Sequence, residues 1–241
     1  MEHFGKNKNK LKRLFEKVLS YIFPIECVSC QKEGEYICSA CFAQIKLIEN
    51  FSCFICNQGS FAKGICPKCE ETTSIDQIIV ATTYQDNIVG KLVEQFKYNY
   101  LEDTKYLLSR VLIKQIEQKE LTNVLRNKVL VPVPLHKKRL AERGFNQAEE
   151  LAKLLAVKFD SQVNTTIVRR VANTKQQAKL NRKQRLQNLI NAFRIDSEGS
   201  WPEEVILIDD VLTTGTTFTE LCKCLKKNGV KKVVCIAICH G

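Results

Sequence analysis

Asp209, Asp210, Thr213, Thr214, Gly215, Thr216 and Thr217 are the residues best placed to do chemistry. They close the stretch Val-Ile-Leu-Ile-Asp-Asp-Val-Leu-Thr-Thr-Gly-Thr-Thr over residues 205–217. The backbone N–H groups and threonine hydroxyls of such a turn can wrap a phosphate. The glycine permits close approach, and a following helix adds the partial positive charge of its N-terminus. Two adjacent carboxylates would repel a phosphate, so their partners should be sugar hydroxyls or a bound metal ion. A phosphorylated ribose satisfies both halves of the stretch, whereas capping a helix would need one such residue and not a run of them. To hold these groups, Val205 to Ile208 must form a strand buried on both faces of a parallel sheet, with a helix from about Thr217 to Lys227. The ligand would then lie outside the carboxyl end of that strand.

A second set of reactive side chains lies near the N-terminus. Eight of the twelve cysteines form four C-x-x-C pairs: Cys27 with Cys30, Cys38 with Cys41, Cys53 with Cys56, and Cys66 with Cys69. Each pair brings two thiolates to one side of a tight turn, and two such knuckles make a tetrahedral zinc site, so two zinc ions are expected. Sequential use of the pairs and an interleaved cross-brace both remain open, with the short connections favouring the first. A redox role is disfavoured, because four pairs crowd together and no βαβ pattern surrounds them. With no water-activating histidine or carboxylate spaced among the ligands, the zinc ions should be structural and supply most of the folding energy of a small, loop-rich segment. Cys222, Cys224, Cys235 and Cys239 read as core packing.

Composition bounds the rest. A chain of 241 residues with 44% hydrophobic content can bury one good core plus a small domain, which excludes a disordered protein. A net charge of +11 and an isoelectric point near 9.1 suit a polyanionic partner, either nucleic acid or an acidic membrane surface. No apolar run reaches the roughly 20 residues of a membrane span, and no signal-peptide pattern opens the chain, so a cytosolic location is expected. In that compartment cysteines are read as metal ligands before disulfides. Within residues 1–23, Leu11, Leu14, Phe15, Val18, Leu19, Ile22 and Phe23 share one helical face among six basic residues, and Pro24 stops the helix. That face would dock on the rest of the protein or lie on anionic lipid at the inner side of the membrane.

The three expected parts are therefore the helix at 1–23, a double four-cysteine zinc ribbon at 24–73 and an α/β domain at 74–241. In the last part, strands are expected at Ile75–Tyr84, Lys128–Val133, Thr166–Val171, Ala192–Ile195, Val205–Ile208 and Lys232–Ile238. Helices are expected at Asp86–Tyr98 and Asp103–Gln118 and in a stretch ending near Phe159. Residues 135–147 read as a polar, cationic loop. Such alternation means an α/β fold with a mostly parallel sheet covered by helices on both faces. From Ser161 to Ile195 there is no Asp or Glu, but Arg169, Arg170, Lys175, Lys179, Arg182, Lys183 and Arg185 are all present. These seven are the candidate DNA-binding cations. With Phe193 the one aromatic residue there, the contact would be electrostatic and not sequence-specific.

The pattern over 205–217 resembles the 5-phosphoribosyl-1-diphosphate (PRPP) motif of the type I phosphoribosyltransferases. The run Val131 to Ala152, with Val-Pro-Val-Pro-Leu-His, Arg139 and Arg143-Gly144-Phe145-Asn146-Gln147-Ala148, resembles the signature of the ComF (ComFC) competence proteins, and the four C-x-x-C pairs agree. The resemblance covers nearly everything from Pro24 onward. It implies a double zinc ribbon followed by a type I phosphoribosyltransferase-like domain, and a role in natural transformation, handling incoming single-stranded DNA at the cytoplasmic side of the membrane beside uptake and recombination proteins. It also implies a PRPP or diphosphate site with Mg2+, built from Val133, Pro134, His136 and the 209–217 residues. Asp209, Asp210, Arg139 and Arg143 would be its catalytic set. A true phosphoribosyltransferase acting on a small nucleobase or amine, and a regulator that senses PRPP, are the alternatives.

Overall fold

The computed structural model describes residues 24–98, 102–172, 192–195 and 201–241. The basic helix expected within residues 1–23, and Lys175, Lys179, Arg182, Lys183 and Arg185, lie outside them. The described strands are β1 (Gln77–Thr83), β2 (Val129–Pro132), β3 (Gln162–Val163), β4 (Val168–Arg170), β5 (Phe193–Ile195), β6 (Glu204–Leu212) and β7 (Lys232–His240). The helices are α1 (Ser39–Ala43), α2 (Pro67–Thr73), α3 (Asn87–Tyr98), α4 (Glu102–Gln118), α5 (Thr122–Leu125), α6 (Lys137–Arg143), α7 (Gln147–Phe159) and α8 (Thr216–Lys227). Five strands form one sheet in the order β1-β7-β6-β2-β3, all neighbours parallel, while β4 and β5 form a separate antiparallel ribbon. The fold is thus the mostly parallel α/β arrangement that alternation of the elements implies.

Burial follows the sequence pattern. Val205 to Ile208 in β6 and Val233 to Cys239 in β7 are fully buried, as unbroken apolar runs in a two-sided sheet should be. Side chains alternate across a strand, and Val205, Leu207, Val233, Cys235 and Ala237 join Phe218, Leu221 and Leu225 of α8 in one core. Helices α4 and α7 pack on β1, β7, β2 and β6, and α3 packs on α4. Helix α7 shows why these residues form helices. Asn146 caps it by accepting from the Ala148 N–H, acids occupy its first turn, Lys158 sits in the last, and Asp160 ends it in a left-handed conformation.

Three features depart from the expectation. Residues 137–143 are the helix α6 and not a loop: His136 caps it through Nδ1, accepting from the Lys138 N–H, and Gly144 at φ +80° terminates it. Strand β6 does not stop at Ile208 but runs through both acids to Leu212, because β7 continues to pair with it as far as Leu212 opposite His240. The two-residue strand β3, paired with Val129 and Leu130, has no apolar run to announce it.

Among the described residues, 24–45 belong to one compact unit and those from Lys46 to Gly241 to a second. Compactness therefore divides the stretch 24–73. Phe51, Cys53, Phe54, Ile65 and Cys69 belong to the same core as Val80, Val131, Val205 and Phe218, so the later cysteine knuckles are part of the α/β unit.

Leu207 is fully buried in the central strand. Leu207→Ala should destabilise the protein by about 3 kcal/mol through lost burial and an unfilled cavity, measured as a shift of the urea unfolding midpoint at unchanged slope.

Candidate functional site

The site arises where two adjacent strands part. Strands β2 and β6 are in register up to Pro132 opposite Ile208, and a last bond joins the Val133 N–H to the Ile208 carbonyl at 2.8 Å. Pro134 then brings no N–H and the chain turns away into α6, while β6 stays paired with β7. One side of residues 209–212 is left open, and a cavity of about 490 Å3 forms there. It lies at the carboxyl end of the central sheet, where open α/β sheets place their ligands. Its walls include Val133, Arg139, Arg143, Asp209, Asp210, Thr213, Gly215, Thr216 and Thr217, so most of the predicted site residues meet in one place.

The turn leading into α8 forms one wall of the cavity. Gly215 sits at φ +71° as the N-terminal cap of α8 with no side-chain cap bond to its first N–H groups, and Gly215, Thr216, Thr217 and Phe218 line the cavity. The Thr214 and Thr216 hydroxyls lie 2.7 Å apart and hold each other, and Thr214 itself is not part of the cavity wall.

Strand alternation sends the two acids to opposite faces. Asp210 pairs with Lys97 of α3, Nζ to Oδ2 at 2.9 Å, with both side chains largely buried. Burial acts against the Asp210 carboxylate, but Lys97 outweighs it and holds its pKa below the ordinary 3.8. Burial likewise opposes the Lys97 charge, and Asp210 reverses that and raises its pKa. For Asp209 the balance is the reverse: burial, and then the charge of Asp210, push its pKa well above 3.8, against a smaller opposing effect of Lys97. The Asp209 Oδ1 accepts from the Asp210 N–H at 2.9 Å. Arg170 of β4, only 9% exposed, also reaches the cavity, where burial and the neighbouring charge of Arg139 lower its pKa to about 10. Four cations, Lys97, Arg139, Arg143 and Arg170, thus line one cavity with two acids.

Some predicted residues fall elsewhere. Pro134 and His136 do not line this cavity but a neighbouring one of about 450 Å3, and the His136 ring is engaged in capping α6. Of the cations grouped by sequence as DNA-binding, Arg170 is largely buried and lines the cavity, whereas Arg169 is exposed. Sequence reasoning missed Lys97, Tyr84 and a site role for Gln147, all of which line the cavity. The one signal for Lys97 was its place four residues after Val93, at the flank of the apolar face of α3. Gln147 is 2% exposed; its Oε1 accepts from Arg143 Nη1 at 3.1 Å, and its Nε2 has no protein partner among the described residues.

A family model described as the phosphoribosyl transferase domain matches residues 139–241. Over 222 residues the chain is 32% identical to Competence protein F of Haemophilus influenzae, covering 88% of this chain and 95% of that protein. The chain belongs to the ComF family of competence proteins. It is also 29% identical to Competence protein ComFC of Bacillus subtilis, over 82% of this chain and 81% of that one. To the DNA utilization protein YhgH of Escherichia coli K12 it is 26% identical, over 85% and 96% of the two chains.

The cysteine knuckles of this ComF-family chain close into two clusters, Cys27-Cys30-Cys38-Cys41 and Cys53-Cys56-Cys66-Cys69, each with its sulfurs within 4.8 Å of one another. The pairing is sequential and not cross-braced. Zinc held at about 2.3 Å by four thiolates has sulfurs about 3.8 Å apart. The Cys30–Cys38 and Cys56–Cys66 separations of 3.7 and 3.9 Å fit that tetrahedron. Burial works against ionising Cys53, but the backbones of Cys56, Cys66 and Ile55 outweigh it and hold its pKa at about 6; Cys27 stands likewise at about 6. Both clusters could hold zinc.

The two acids should affect stability in opposite directions. Asp209 keeps its proton to higher pH when folded, so it costs stability as pH rises from 3.8 through its folded pKa. Asp210 contributes stability above 3.8 that is lost as pH falls through its lowered folded pKa. At pH 7, Asp209→Asn should raise the unfolding midpoint and Asp210→Asn should lower it, each by on the order of 1 kcal/mol, measured by urea denaturation.

Proposed function

We propose that this chain binds PRPP with Mg2+ in the cavity at the end of β6 and handles incoming single-stranded DNA on the cytoplasmic side of the membrane during natural transformation. The observation that carries this reading is the convergence of the threonine turn, both acids and four cations on one cavity. A phosphate at the turn would take the α8 N–H groups and threonine hydroxyls. The acids would take ribose hydroxyls, and Arg139 and Arg143 would face the diphosphate. Mg2+ is commonly held by one or two carboxylates together with ligand phosphates, and a metal ion at Asp209 would offset the burial and the Asp210 charge that raise its pKa. If diphosphate leaves, catalysis would be mainly positioning together with cationic stabilisation of the leaving group, with no dedicated base.

The DNA half of the proposal is supported by the names of the relatives, competence protein and DNA utilization protein, and by the distribution of charge. Arg169 is exposed on β4, and Lys175, Lys179, Arg182, Lys183 and Arg185 follow it in the chain without an intervening acid. Contact of about four of these with a single strand would make log affinity fall with log salt at a slope of about −3.

Calorimetry with PRPP and Mg2+ is expected to give micromolar binding that Asp209→Ala with Asp210→Ala abolishes, and diphosphate release in the same cell would report turnover. Charge reversal at Arg182, Lys183 and Arg185 should weaken single-strand binding and flatten its salt slope. A folded protein that ignores PRPP, or a triple variant that binds DNA as before, would overturn the corresponding half.

A further inference from the structure

The second cysteine cluster does more than pack beneath the sheet. Phe54 and Ile55, the two residues between Cys53 and Cys56, both reach the end of β6 where the phosphate turn begins. A Cβ on Gly215 would collide with Ile55 Cδ1, so the isoleucine methyl closes directly over the glycine of the turn. The Phe54 ring meets the His240 ring edge-on, with centroids 5.4 Å apart. His240 lies at the end of β7 opposite Leu212, its imidazole facing the backbones of both Thr213 and Phe54. The knuckle is itself anchored: the Phe54 N–H donates to Gly64 and the Ile78 N–H to Lys63, and Gly64 has no room for a Cβ against Ile78 and Phe54. Cys53, Phe54, Leu212 and Phe218 share one buried core.

We propose that this cluster is a strut for the phosphate turn. Phe54, Ile55 and His240 are positioning residues that hold Thr213 to Thr217 in binding shape, and metal occupancy at Cys53-Cys56-Cys66-Cys69 is linked to PRPP affinity. The inference rests on the reading of the turn as a PRPP site. Its physical basis is a short chain of contacts. Four thiolates drawn onto one ion would fix the Cys53–Cys56 turn, and the two side chains within that turn pack against His240 and Gly215. Without the ion the turn is free to open, Ile55 can withdraw, and the glycine regains conformations that do not bind phosphate. Linkage makes the effect reciprocal: if the ion favours ligand, the ligand must favour retention of the ion.

The full-length, zinc-loaded protein tests this with two readouts. Ile55→Ala should keep two zinc ions per chain by atomic absorption and bind PRPP with Mg2+ about tenfold more weakly, within the usual range of coupling between sites. In the wild type, saturating PRPP with Mg2+ should slow chelator-driven loss of one zinc ion several-fold and leave the other unchanged. In Cys30→Ser, which retains a single intact cluster, the remaining ion should be the protected one. Wild type that binds PRPP while Ile55→Ala binds it equally well overturns the strut. So does ligand that protects both ions alike or neither, and this second readout decides should Ile55→Ala lose its metal. Wild type that does not bind PRPP overturns the site reading itself, and the strut with it.

Discussion

The structure turns on an asymmetry in the central strand. On one side β6 loses its partner after Ile208, where β2 reaches Pro132 and the chain departs at Pro134; on the other it stays bonded to β7 through Leu212. Residues 209–212 are therefore held rigidly along one edge and open along the other. Two acids stand in that opening, and carboxylates so deeply placed need cations or protons to be tolerated. Lys97 meets the requirement for Asp210, while burial and the charge of Asp210 push the Asp209 pKa up. Under the proposed reading, the ligand would bring both phosphate and positive charge to this opening.

Much of this was legible in the chain itself. The apolar run 205–208, the acids and the threonine-glycine turn specify strand, cavity mouth and helix start in one continuous segment. Local sequence therefore carries that part of the signal, apart from the continuation of β6 past Ile208, which pairing with β7 decides. The C-x-x-C spacing likewise encodes its own geometry, and both clusters close as successive pairs. Lys97 was not legible, because its role depends on α3 lying over the end of β6, a packing relation with no local mark. The place of Arg170 was hidden for a related reason: within a run of basic residues nothing distinguishes the one that lines the cavity from Arg169, which is exposed. The helix at 137–143 was hidden by its charge, although His136 and Gly144 were present as its cap and stop. The division after Ile45 was hidden because all four cysteine pairs look alike, whereas only the later two are flanked by Phe51, Phe54 and Ile65, which enter the α/β core.

Membership of the ComF family fits this arrangement of a cysteine-rich beginning and a phosphoribosyl transferase domain. Under the strut proposal, the later cluster also answers a mechanical problem. A turn that must present N–H groups to a phosphate needs a glycine, and a glycine at φ +71° is held in place by what packs on it. Here that packing comes from Ile55, placed by the cysteines on either side of it.

Amide hydrogen exchange with and without PRPP and Mg2+ tests the central claim, that the open edge of β6 is a phosphoribosyl site, most directly. Exchange should slow at residues 213–218 and in α6, with little change in α4 and α7 away from the cavity. Unchanged exchange across 209–218 under saturating ligand, or protection confined to some other part of the chain, would contradict it.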